Sequence, residues 1–245
     1  MNFNTKLNKF HHPTSIQIEP VSQTPTISHR RNQFNPYELN GGNVVGVVEG
    51  PLAVFAGDTR LSRDYHILKK DATKIHKLNK TTYILSAGAY ADIINLWKTL
   101  DQHIELYELN NQEEMSSSAI ASLLSRTLYS RRFFPYYVFN LVVGCDEKGN
   151  AQMWNYDAVG NYELRKQSAQ GLGSHLIEPL LDNQREAYHA IEKPPKLDRN
   201  GLEELVVEAF QCCAERDITT GDNVEVYVIE YGKLLSRKVY PLRSD

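Results

Sequence analysis

The side chains of this 245-residue chain that could do chemistry fall in four short strings. These are Gly57-Asp58-Thr59-Arg60, the isolated Lys74, Ser86-Ala87-Gly88-Ala89-Tyr90-Ala91-Asp92, and Arg216-Asp217 ahead of Thr220-Gly221. Carboxylates, an amine and hydroxyls in such a set can handle protons around a nucleophile, or they can pair as structural ions. Metal and thiol chemistry fit less well. The eight histidines show no ligand spacing, and His11-His12 lies in a polar stretch. Cys145, Cys212 and Cys213 make an odd count without metal-type spacing, and an adjacent pair on a helix points its side chains about 100° apart. Free thiols in a reducing compartment are expected, with no metal and no cofactor.

The scaffold that must position these strings is of ordinary soluble composition, with 41% hydrophobic and 23% charged residues. No apolar run approaches the roughly 20 residues that span a bilayer. With 27 Lys and Arg against 30 Asp and Glu, a net charge of -3 argues against nucleic acid as the main partner. Proteins or small molecules remain. Residues 1–40 are rich in Asn, Gln, Ser, Thr and Pro without a sustained apolar period, and are expected to be an extension before a single domain over 41–245. They lack the basic start and apolar core of a secretory signal, so a cytoplasmic and nuclear location is expected. His29-Arg30-Arg31 reads as a solvated charge cluster.

Apolar runs at 44–48 and 52–55 flank Gly50-Pro51 and predict a hairpin. Runs at 74–78, which would carry Lys74, and 83–87 predict a second pair, so that four strands precede any helix. A 3.6-residue stripe through Ile93, Trp97, Leu100, Ile104 and Tyr107 predicts a helix with a packed face. A second stripe, Ile120, Leu124 and Leu128, follows the capping residues Ser116-Ser117-Ser118 and is expected to end at Pro135. Three strands at 137–143, 151–156 and 162–167 predict a meander, and a short helix over 174–181 contains Pro179. The last helix is expected to be capped by Asn200, with Glu203 at capping-box spacing and Leu202, Val206, Ala209 and Cys213 on one face. Runs at 224–230 and 234–240 close the chain as a hairpin through Gly232. Two antiparallel sheets face to face with a helical pair outside each would bury every stripe, giving an α+β fold in four layers, α-β-β-α. A two-layer α+β fold would satisfy much of the same pattern.

Taken together, the four strings resemble proteasome beta subunits, of the N-terminal-nucleophile hydrolase family. The likeness runs from about Gln33 to the C-terminus with the same element order. Four further strings, Gln33-Phe34-Asn35-Pro36-Tyr37, Asn40-Gly41-Gly42, Arg132-Phe133-Phe134-Pro135-Tyr136-Tyr137-Val138 and Leu181-Asp182-Asn183-Gln184, resemble a non-catalytic branch that takes the sixth place in the eukaryotic beta ring. The resemblance implies the four-layer sandwich. In catalytic members a threonine, freed by self-cleavage after glycine, attacks the peptide carbonyl with its own α-amine as base.

Counting back from Asp58 without a gap places Gly42 at that nucleophile position, and a slip of one residue would place Gly41 or Asn43 there. None of the three has a hydroxyl. By the same resemblance Asp58 and Lys74 stand for the carboxylate and the amine whose charge favours deprotonation of the nucleophile. Asp217 stands for a second carboxylate, Thr220 for a serine, and Gly88 for the glycine whose N–H helps form the oxyanion hole. Leu172, in Gly171-Leu172-Gly173-Ser174, replaces a serine of the proton-handling network. The degenerate site positions are therefore Gly42, Asp58, Lys74, Leu172, Asp217 and Thr220. The retained Asp58, Lys74 and Asp217 are expected to form an ion-paired network, where stranding one buried charge costs about 3 to 5 kcal/mol. Thr59 is mid-chain with no free amine beside it and is expected to serve its turn. The aromatic run Phe133 to Tyr137 is expected either at a subunit interface or in the core.

The resemblance implies a non-catalytic structural subunit of the 20S core particle, acting in ubiquitin- and ATP-dependent protein degradation. Its implied partners are beta subunits of the same and the opposite ring, alpha-ring subunits, and regulatory caps through the assembled core, with no nucleic acid and no membrane. Self-cleavage needs a hydroxyl on the residue after the cut, which Asn43 lacks, so trimming near 32–33 by an active neighbour is expected. Two rival readings stay open: a working hydrolase with another start residue, and a free-standing binding protein on the same fold.

Overall fold

The computed structural model describes residues 37–186 and 196–243, which belong to one unit of the chain spanning 36–245. Apart from residues 37–40, the expected extension and its cut point lie outside the described residues. Twelve strands and four α-helices are described. The strands are β1 (Asn43–Glu49), β2 (Leu52–Asp58), β3 (Leu61–Arg63), β4 (His66–Lys69), β5 (Ile75–Lys77), β6 (Tyr83–Gly88), β7 (Val138–Cys145), β8 (Ala151–Tyr156), β9 (Tyr162–Leu164), β10 (Gln167–Gly171), β11 (Asn223–Glu230) and β12 (Lys233–Pro241). The helices are α1 (Tyr90–Asn111), α2 (Ser117–Tyr129), α3 (Ser174–Leu181) and α4 (Arg199–Ala214).

One antiparallel sheet has the order β10-β1-β2-β11-β12, a second has the order β5-β6-β7-β8-β9, and β3 with β4 forms a separate hairpin. The period-2 alternation of the central strands decides how the layers stack. Along β1, Val45 and Val47 face α3 and α4 in a cluster with Val206 and Phe210, whereas Val44 and Val48 face the second sheet beside Leu85, Leu141 and Met153. Along β6, Ile84 faces α1 and α2 with Leu96, Leu100 and Leu124, whereas Leu85 faces the first sheet. Strands buried on both faces must be apolar nearly throughout, and β1, β2 and β6 are. Three apolar layers between four layers of secondary structure give the α-β-β-α sandwich.

Several expectations are corrected. Six strands, not four, precede α1, because the hairpin β3–β4 is too polar to register as apolar runs, with every residue of β4 exposed. Lys74 lies just before β5 rather than within a strand. The run at 162–167 is two strands: β9 pairs with β8 as far as Leu164, and after Arg165 and Lys166 the chain crosses to the other sheet, where Gln167 pairs with Val47. The meander is therefore β7-β8-β9 alone. Helix α2 ends at Tyr129, and Ser130 to Phe134 form turns before Pro135. The cap of α4 is Asp198, whose carboxylate accepts from the Gly201 amide at 2.8 Å, with Asn200 already inside the helix. Glu203 forms no capping box; it accepts from the Tyr240 hydroxyl at 2.6 Å and pairs with Lys238. Tyr107 is the exposed member of the α1 stripe, and Phe133 is 98% exposed while Tyr136 is buried.

The cap assignment is testable. Asp198→Ala should destabilise the fold by about 1 kcal/mol through the lost amide bond, and Asn200→Ala should change it by less than about 0.5 kcal/mol. Thermal unfolding of the two variants side by side reads the difference.

Candidate functional site

The four strings converge where the ends of β1, β2, β6 and β10 meet the chain leaving α4. β2 delivers Asp58, fully buried, and the chain before β5 delivers Lys74, 2% exposed. Their side chains form an ion pair at 3.0 Å. The Lys74 ammonium also donates to the Asp58 carbonyl at 2.8 Å and to the Arg60 carbonyl at 2.7 Å. An ammonium has three N–H donors and no lone pair, so all of its hydrogen-bonding capacity is committed. Burial pushes the Asp58 carboxyl up, opposed by the Lys74 ammonium and by the amides of Asn43 and Gly221.

Gly42 lies directly against this pair. A Cβ placed on it would fall 2.3 Å from both Cε and Nζ of Lys74 and 2.7 Å from Oδ1 of Asp58. Its φ of +79° is also a conformation that side-chain-bearing residues rarely adopt. Gly42 is thus held as glycine twice over, by backbone conformation and by a cation where a side chain would go.

Asn43 is the residue that sequence reasoning passed over. Its amide donates to Asp58 Oδ1 at 2.7 Å, its side-chain oxygen accepts from the Gly173 amide at 2.7 Å, and its side-chain nitrogen donates to Thr220 Oγ1 and, at 3.4 Å, to Asp217 Oδ2. The Thr220 hydroxyl donates to Asp217 Oδ2, and Asp217 also accepts from the amide and hydroxyl of Thr219. The structure therefore divides the expected ion network. Asp58 and Lys74 are an ion pair, Asp217 belongs to a set of neutral donors, and Asn43 joins the two. No spacing rule signals an asparagine in that role, because its partners lie 15, 130, 174 and 177 residues away.

The remaining expected positions resolve as follows. Leu172 is 42% exposed in the turn between β10 and α3; its carbonyl contacts His175 Nδ1 at 3.0 Å, and its side chain has no polar atom to offer the site. Gly88 ends β6, and its carbonyl accepts from the Asn40 amide at 3.1 Å. Thr59 donates to the Lys70 carbonyl at 2.7 Å and accepts from the Asn223 amide, so it ties its turn together as expected. Cys213 sits beneath Asn43, where burial pushes its thiol up to about 11, leaving it protonated and unreactive near neutral pH. Among the described residues no group of three or more His, Cys, Asp or Glu could hold a metal ion. No described helix is long and apolar enough to cross a membrane.

The pair is held out of water, so losing one member strands the other. Lys74→Met should destabilise the fold by about 3 to 5 kcal/mol by stranding buried Asp58. The double change Asp58→Asn with Lys74→Met should cost less than the two single changes summed, because the partners share one interaction. Chemical unfolding of the four proteins closes the cycle, and additive losses would contradict the pairing.

Comparison with known proteins shows the family to which the chain belongs. The family model described as proteasome subunit matches residues 38–229. Proteasome subunit beta type-1 of Arabidopsis thaliana is 42% identical over 217 residues, covering 86% of this chain and 97% of the relative. The protein of the same name from Danio rerio is 36% identical over 231 residues, covering 94% and 95%. That of Dictyostelium discoideum is 42% identical over 215 residues, covering 86% and 90%. A four-layer sandwich with this site at its strand ends, matched over most of its length, belongs to the proteasome subunit family.

Proposed function

We propose that this chain is a non-catalytic structural beta subunit of the 20S proteasome core particle. One observation carries the proposal: the position that would hold the nucleophile is Gly42, and the space for any side chain there is filled by the Lys74 ammonium. A hydroxyl nucleophile needs an oxygen and a nearby base. Gly42 supplies no oxygen, and with the cut near 32–33 its nitrogen is a peptide amide rather than the free α-amine that serves as base in catalytic members. Leu172 removes a further polar group from the same place. The degenerate set Gly42, Asp58, Lys74, Leu172, Asp217 and Thr220 then persists as architecture, with Asp58 and Lys74 kept as partners because each strands the other if lost.

In this reading the subunit serves ubiquitin- and ATP-dependent protein degradation by shape. It completes a beta ring, contacts an alpha ring and the opposite beta ring, and meets regulatory caps through the assembled core, in cytoplasm and nucleus. Exposed Phe133 and Phe134 are suited to such contacts. The extension is trimmed near 32–33 by an active neighbour, since Asn43 has no hydroxyl to cleave the bond before it.

Two measurements test the proposal. In purified core particles a threonine-directed covalent inhibitor should label other subunits and leave this chain's mass unchanged; adduct on this chain, with loss of turnover assigned to it, would overturn the reading. Native mass measurement should find the mature chain only within large assemblies, whereas a stable isolated monomer contradicts obligate assembly. A mature chain beginning at Asn43 would contradict trimming by a neighbour. Gly42→Thr should create no activity and should destabilise the subunit by about 1 to 3 kcal/mol through overpacking against Lys74.

A further inference from the structure

At the end of β6 away from Gly88, about 17 Å along the strand, a groove of about 740 Å³ runs between the second half of α1 and the turn joining β5 to β6. Its floor is apolar, formed by Leu78 and Ile104, 9% and 3% exposed. Its rim is acidic. Five carboxylates face two lysines there. His76 meets Asp101 at 2.9 Å, Lys80 meets Glu114 at 3.0 Å, and the Lys77 ammonium lies over the Tyr83 ring at 5.9 Å. Glu105, Glu108 and Glu113 have no ion pair among the described residues. Leu109, one turn on from Glu105, is 72% exposed.

Helix α1 gains nothing by itself from these carboxylates. Asp101, Glu105 and Glu108 follow one another at four and three residues, so like charges repel along one helix face. They also approach the negative end of the helix dipole, and the last turn of α1 has no basic residue to offset them. Local choices that oppose their own element are expected where a function compensates them. A cation entering the groove relieves both repulsions at once. The groove follows α1 from Asp101 to Gln112, about three helical turns or 16 Å. An added strand would find only the three residues of the edge strand β5 to pair with, so a helix laid along α1 suits the groove better.

We propose that this groove docks a basic amphipathic helix of a partner protein. Its aliphatic side chains sit on Leu78 and Ile104 and against Leu109, while its lysines or arginines meet Glu105, Glu108 and Glu113. The opposite charges set encounter and orientation, and the apolar floor rejects a merely hydrophilic cation. The inference goes beyond the structural role proposed above by adding a recruitment surface. It holds whether or not the chain cuts peptides, because β6 separates the groove from the site.

The test uses assembled core particles and a synthetic helix of about 14 residues built from Leu and Lys, with one diazirine-bearing leucine on its apolar face. Adducts are mapped on this chain by mass spectrometry. The Lys probe should label residues 77–80 and 101–114, and a probe with Glu in place of every Lys should label them about tenfold less. Raising the salt to about 0.5 M should shrink that difference. Glu105→Lys combined with Glu108→Lys should reverse the preference between the two probes. Labelling confined to other surfaces, equal labelling by both probes, or a preference untouched by the charge reversal would each overturn the proposal. If the reversed chain fails to assemble, Glu105→Gln with Glu108→Gln decides instead. Labelling by the Lys probe should then fall about fivefold, and an unchanged yield would overturn the proposal. Peptide hydrolysis by this chain would refute the structural-subunit reading and leave these outcomes as they are.

Discussion

The Asp58–Lys74 ion pair is the constraint around which the site is built. Two charges out of water are tolerated only when their geometry is good and their remaining donors and acceptors are met. Here the ammonium is met by one carboxylate oxygen and two carbonyls, and Asp58 Oδ1 also takes the amide of Asn43, while the buried Oδ2 is left without a hydrogen-bond partner. Satisfying Lys74 in this way draws the end of β2, the turn after it and the chain before β5 to one point. The first sheet and the second are thereby registered at the edge where the site sits, beyond what the apolar layer between them supplies.

Seen from that pair, Gly42 and Asn43 are complementary. Glycine leaves room for the cation, and asparagine offers donor and acceptor to both halves of the site. Asn43 ties β1 to the turn before α3 through Gly173 and to the chain after α4 through Thr220 and Asp217. The polar groups of Gly173, Thr220 and Asp217 thus meet at one side chain.

Much of the fold was legible in the sequence because its signals are local. The Val-rich run of β1, the stripe through Ile93, Leu100 and Ile104, and the Tyr231–Gly232 turn each announce their element by period or by turn chemistry. The β3–β4 hairpin was not legible, since its strands are short, mix Leu61, Ile67 and Leu68 with polar residues, and leave all of β4 exposed. The split of 162–167 was hidden because a strand that changes sheets keeps the composition of one that does not. At the site, the family resemblance points to Asp58 and Lys74, and counting back from Asp58 leads to Gly42. Asn43 could not be placed in that way, because an asparagine's role depends on which distant amides and carbonyls folding brings to it.

The two sheets also differ in how their strands are distributed along the chain. The second sheet is drawn from one stretch, Ile75 to Leu164, and encloses α1 and α2 in sequence. The first sheet collects β1 and β2 from the start of the domain, β10 from its middle, and β11 and β12 from its end. During synthesis the second sheet and its helices can close while the first is only a hairpin. The outer edge of β2, which finally pairs Asp58 with Val224, has no partner until the last strands emerge. Such an apolar edge is an invitation to pair wrongly. The first sheet is therefore complete only once the C-terminal hairpin β11–β12 has been made, and a nascent chain stalled before residue 223 leaves that edge of β2 open.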